Sequence, residues 1–148
     1  MTPKIYVNLP VKDLEKSKEF FSKLGFEFNE KFTDEKCGCM IIGGDNYVML
    51  LAEEFFKTFT KKEISDATKA TEVIVALEVE NREKVDELFN KAIEAGATKN
   101  TEPMKEKFMY QQNFQDLDGH IWEVFYMDES QMDQSRKSSM RIHCPADF

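Results

Sequence analysis

"YVNLPVKDLEKSKEFFSKLGF", residues 6–26, changes its hydrophobic period partway along, and that change decides the fold. Up to Val11 the apolar residues Ile5, Val7, Leu9 and Val11 alternate with Tyr6, Asn8 and Pro10. Side chains along a strand point to opposite faces in turn, so the first set is expected to bury one face while Tyr6 and Asn8 look out of the other. Beyond Asp13, Leu14, Ser17, Phe20, Phe21 and Leu24 follow at helical spacing. Asp13 is placed to accept from the free N–H groups of the first turn, and Gly25 to stop the helix.

The unit returns at residues 75–89, "VALEVENREKVDELF". Val73, Val75, Leu77 and Val79 alternate with Glu72, Ile74, Ala76 and Glu78; Asn81 stands where Asp13 stood; Val85, Leu88, Phe89 and Ala92 form the stripe, and Gly96 closes it. Behind the first copy, "FEFNEKF", "CGCMIIGG" and "NYVMLLAE" read as three short strands separated by polar and Gly-rich turns. Behind the second, strands are expected near 97–101, at "KFMYQQNFQD" and at "HIWEVFYMD", with Asp118-Gly119 turning between the last two. The expectation is an α+β fold of tandem βαβββ repeats: repeat one over 1–53, a linker over 54–70 with a helical turn at Phe55 and Phe56, and repeat two over 71–127. Each unit leaves a sheet face uncovered, and two copies complete each other. Residues 128–148 are polar and aperiodic and read as a mobile tail.

The 148-residue chain suits one domain with its own core, and its net charge of -8 argues against nucleic acid, whose binding needs clustered Lys and Arg. No basic start leads into an apolar run, and no run is long enough to span a bilayer, so the reading is a cytoplasmic protein without a membrane partner. Cys37, Cys39 and Cys144 are an odd set without framework spacing, as expected in a reducing compartment. Cys37 and Cys39 share a strand face, where small thiols suit packing better than metal binding. His143 and Cys144 lie in the tail and are not read as ligands.

Together, the strand–Asp–Leu–helix opening, its mid-chain repeat and the closing "DLDGHIWEVF" resemble the vicinal oxygen chelate superfamily, which includes glyoxalase I, bleomycin-resistance proteins and extradiol dioxygenases. The resemblance covers about residues 4–127. It implies that the two repeats curl into a cupped mixed sheet with helices outside, that the cup holds the ligand, and that a homodimer is the expected assembly. Metal-dependent members carry four ligating side chains in the cup, from the first, fourth, fifth and eighth strands. Those positions fall here on Tyr6, on Met49 (or Val48 in the neighbouring register), on Ile74 and on Glu123. Only Glu123 is a usual ligand, and one carboxylate cannot hold a divalent ion against water. His120 lies three residues from Glu123, on the opposite strand face, and is expected at the hairpin turn. No cofactor is therefore expected, although the resemblance is to the lactoylglutathione lyase family.

The candidate ligand-binding residues are Tyr6, Asn8, Met49, Ile74, Ala76, Met109, Gln111, Asn113 and Glu123. Glu123 is also the candidate catalytic residue, since a carboxylate on a largely apolar floor can act as a general base or bind a cation. The methionines read as spread along the chain, with Met40, Met49 and Met109 able to soften a cup. The expected function is metal-free binding of a small organic molecule, such as an antibiotic or a toxic metabolite, with a slight preference for cations from the acidic balance. The alternative is a lyase, isomerase or dioxygenase-like enzyme in which Glu123 serves as base or helps recruit a divalent metal. No phosphate loop, nucleophile elbow or zinc-protease signature is present.

Overall fold

Residues 1–132 are described by the structure, a computed structural model. The first half contains β1 (Ile5–Val11), α1 (Leu14–Lys23), β2 (Glu27–Phe28), β3 (Cys37–Gly43) and β4 (Asn46–Ala52). After α2 (Glu53–Phe56) and a polar connection come β5 (Ile74–Glu78), α3 (Arg82–Glu94), β6 (Thr98–Lys99), β7 (Met104–Lys105), β8 (Met109–Gln115) and β9 (Ile121–Met127). Both caps form as their residue types require: Asp13 accepts from Lys16 N at 3.1 Å and Asn81 from Lys84 N at 2.8 Å. Among the described residues no helix is long and apolar enough to cross a membrane.

Two mixed sheets result, ordered β1-β4-β3-β2 and β5-β9-β8-β6, with β7 also on β8. In each, the first strand runs parallel to the last, and the inner pair is antiparallel. The helices cover one face. Leu14, Ser17, Phe20 and Phe21 of α1 and Val85 and Ala92 of α3 are buried, as the helical stripes demand. One core serves both halves: Phe21 of α1 lies 4.9 Å from Trp122 of β9, and Phe20 lies 6.3 Å from Phe114 of β8, centroid to centroid.

The halves are also tied by polar contacts at the β8–β9 turn. Asp118 accepts from Lys12 N at 2.9 Å and from Ser17 Oγ at 3.3 Å, and His120 Nε2 lies 2.7 Å from Pro10 O. Inside the turn, Asp116 accepts from Asp118 N, His120 N and Trp122 Nε1. Burial pushes the Asp116 carboxyl above its usual value, while His120 and the Trp122 bond act against that shift.

Several sequence expectations need correction. In "FEFNEKF" only Glu27 and Phe28 pair as a strand, because Asn29 caps a 3-10 turn over Glu30–Phe32. The strand near 97–101 shrinks to Thr98–Lys99, and β7 was not anticipated. The methionines do not simply spread: Met104, Met109, Met127 and Met132 gather around Phe108 and Phe125 in a second cluster. Met40 faces the helices, fully buried opposite Val48. Residues 128–132, read as the start of a mobile tail, include a 3-10 turn over Glu129–Gln131 and bring Met132 onto that cluster. His143 and Cys144 lie outside the described residues.

Candidate functional site

Strand register assigns the face opposite the helices. In a paired ladder, partners share a face, so Asn8 of β1, Met49 of β4 and Cys39 of β3 form one row. Its counterpart in the second half is Ala76 of β5, Glu123 of β9 and Asn113 of β8. Neighbouring rows add Tyr6 beside Tyr47, Ile74 beside Ile121, Gln111 beside Phe125 and Met109 beside Met127. All nine candidate residues therefore occupy the cup face, as strand alternation required.

They differ in access. Tyr6, stacked on Tyr47 at 4.7 Å, is 46% exposed, and Ile74 is 49% exposed; Asn8 and Ala76 are also exposed, and Met49 and Glu123 half-buried. Met109, Gln111 and Asn113 are buried on β8, whose outer edge pairs with β6 and β7. Asn113, 3% exposed, accepts from Thr101 N at 2.8 Å and Thr101 Oγ1 at 3.0 Å and donates to Gln111 Oε1 at 2.6 Å. Its amide is committed within the protein. Thr101, between the two-residue strands β6 and β7, supplies two of these bonds, and strands so short carry no periodic signal in the sequence.

Donor chemistry on this face does not fit a resident divalent ion. Tyr6, Met49 and Ile74 accompany Glu123 at the four strand positions, and among the described residues no three His, Cys, Asp or Glu side chains gather as a metal-holding group. Cys39 is buried in the Met49 row; Cys37 lies 3.3 Å from Phe32 O. Burial pushes both thiols up, so neither is poised as a thiolate.

The sequence missed a second feature. Residues 56–73 pass over the ends of β1 and β9 and form a half-open cavity of about 350 Å³, whose wall includes Asn8, Pro10, Ile64, Ala67, His120 and Ile121. Gly119, at φ +90°, makes this possible: a Cβ there would stand 2.8 Å from Thr68 N and 2.9 Å from the Ala67 carbonyl. His120 sits at the hairpin turn as expected, but it also lines the cavity. The Asp-Gly-His run was the available signal; what crosses it cannot be read from local pattern.

The bleomycin resistance protein-like N-terminal family model matches residues 5–43. No curated protein matches the chain. Among solved structures, hypothetical protein SA1046 from S. aureus is 34% identical with a TM-score of 0.73, over 85% of this chain and 94% of that one. A glyoxalase/bleomycin resistance protein/dioxygenase family enzyme from Burkholderia phytofirmans PsJN is 22% identical with a TM-score of 0.71, over 82% of this chain and 96% of its own. TnmS3, an antibiotic binding protein from Streptomyces sp. CB03234, is 19% identical with a TM-score of 0.63, over 86% and 98% respectively. The last two likenesses concern the fold.

Proposed function

We propose that this chain, which has the fold of the glyoxalase, bleomycin-resistance and dioxygenase proteins, is a member of the vicinal oxygen chelate superfamily that binds a small organic molecule in its cup without a metal. The observation that carries this reading is the donor set. Tyr6, Met49 and Ile74 stand beside Glu123 where metal-dependent relatives place ligands, and a Lewis-acid centre needs at least three protein donors and an open position. What remains is a surface of aromatic, thioether, aliphatic and amide side chains with the carboxylates of Glu123 and Glu78, a composition suited to an apolar body carrying a positive group. TnmS3 uses the same fold to bind an antibiotic, which supports ligand sequestration as a workable use of such a cup.

Glu123 would face the ligand's cation. Tyr6 and Tyr47 would offer stacked rings, and Met49 an adaptable contact. The reading includes a homodimer, because Ile5, Tyr6, Val73 and Ile74 leave exposed apolar surface on β1 and at the start of β5.

A thermal-shift screen of cationic aromatic antibiotics, bleomycin included, tests the proposal. A ligand at a hundred times its dissociation constant stabilises the fold by about 2.7 kcal/mol, several degrees for a chain of this size. The Glu123→Gln variant should need roughly tenfold more ligand for the same shift. Turnover of the methylglyoxal–glutathione hemithioacetal that depends on added nickel or zinc and on Glu123 would instead establish the enzyme reading.

A further inference from the structure

We propose that the cavity beneath residues 60–73 is a second ligand pocket, for a compact, mostly apolar molecule bearing an N–H or O–H donor. It shares Asn8 and Ile121 with the cup face but none of Tyr6, Met49, Ile74 or Glu123, the residues that carry the cup reading. Its volume, about 350 Å³, lies within the range of small-molecule sites.

Of the polar side chains that line it, Asn8, Thr60 and Ser65 among them, His120 is the buried one. His120, 9% exposed, places Nε2 2.7 Å from the carbonyl oxygen of Pro10. A carbonyl only accepts, so Nε2 carries the proton, and in the neutral ring Nδ1 is the acceptor. A donor on the ligand would pair with Nδ1, while Leu9, Pro10, Ile64 and Ile121 contact its apolar body. Charged Lys62 and Glu63 remain exposed and are compatible with a rim.

The roof can yield. The hydrogen bonds within it are short-range: Lys62 N to Thr60 Oγ1, Thr68 N and Oγ1 to Asp66 Oδ1, and Lys69 N and Ala70 N to Asp66 O. Its close approach to the hairpin is the contact of Ala67 and Thr68 with Gly119. A segment held in this way opens at little cost compared with a paired strand, so ligand entry does not require the sheets to part.

Two-dimensional amide NMR with phenol, indole and toluene as probes tests the site. Phenol and indole should cause saturable shifts at Leu9, Ile64, Ala67, Gly119, His120 and Ile121, and toluene, lacking a donor, should bind roughly tenfold more weakly. Ala70→Phe, which fills the roof at an exposed position, should weaken phenol at least tenfold, whereas Glu123→Gln should leave it unchanged within about twofold. The proposal is overturned if saturable shifts centre on Met49, Ala76 and Glu123 without Ile64 and His120, if Ala70→Phe leaves phenol affinity unchanged, or if neither donor probe saturates. None of these results bears on whether cationic antibiotics occupy the cup.

Discussion

Replacing Gly119 with alanine puts a methyl group where the 60–73 segment already stands. The consequence can be separated into two parts, because Gly25 supplies a control. Gly25 has φ +103° and nothing within 4 Å of an added Cβ; Gly119 has φ +90° with Thr68 N at 2.8 Å and the Ala67 carbonyl at 2.9 Å. Left-handed backbone costs an alanine about 1–2 kcal/mol, and Gly25→Ala should lose only that. Gly119→Ala should lose it too, and also about 1–3 kcal/mol for forcing rigid backbone atoms apart. The two variants should therefore differ by about 1–3 kcal/mol in urea unfolding at unchanged slope. Native-state trypsin cleavage at Lys61, Lys62 and Lys69 should accelerate in Gly119→Ala and not in Gly25→Ala. Equal urea midpoints and equal cleavage would refute the docking of the segment on the turn.

Other expectations follow from the core and from the titrating groups. Phe21→Ala removes a ring packed on Trp122 and should cost about 3–5 kcal/mol, with hydrogen exchange in β3 and β8 rising together; exchange confined to the first half would mean two separate cores. Tyr110 donates to Asp86, and burial followed by that bond pushes its phenol up to about 12. The folded state then holds this proton more tightly than the unfolded chain, so stability should fall as pH rises from about 10 to 12, and Tyr110→Phe should remove that part of the decline. An absorbance titration in which every tyrosine ionises near pH 10 would contradict it. Asn113→Ala strands Thr101 N–H and Gln111 and should cost about 1–3 kcal/mol; a neutral outcome would show that the β6–β7 segment does not depend on this amide.

The repeated strand–helix unit, both caps, the helix stripes and the cup-facing alternation were legible because each is periodic or local. Asp13 and Asn81 act within three residues of themselves, and Tyr6, Asn8, Ile74 and Ala76 reach the cup through a period of two. Chain segments folding back from elsewhere were not legible. β7 is two residues long and has no period, yet it pairs with β8 beside Gln111; Met104 and Met132 join Met109 and Met127 from the short aperiodic stretches that flank β8 and β9. Gly119 showed as a turn glycine, but its second role depends on backbone about fifty residues earlier. Access to the site is thus set by tertiary contacts, whereas its chemistry is set by strand alternation.

Isothermal titration of chelator-treated protein with nickel and with zinc bears most directly on the cup as a metal-free binding surface. No stoichiometric uptake is expected, and Glu123→Gln should give the same trace as the parent protein. Uptake of about one ion per chain that disappears in Glu123→Gln would contradict the account.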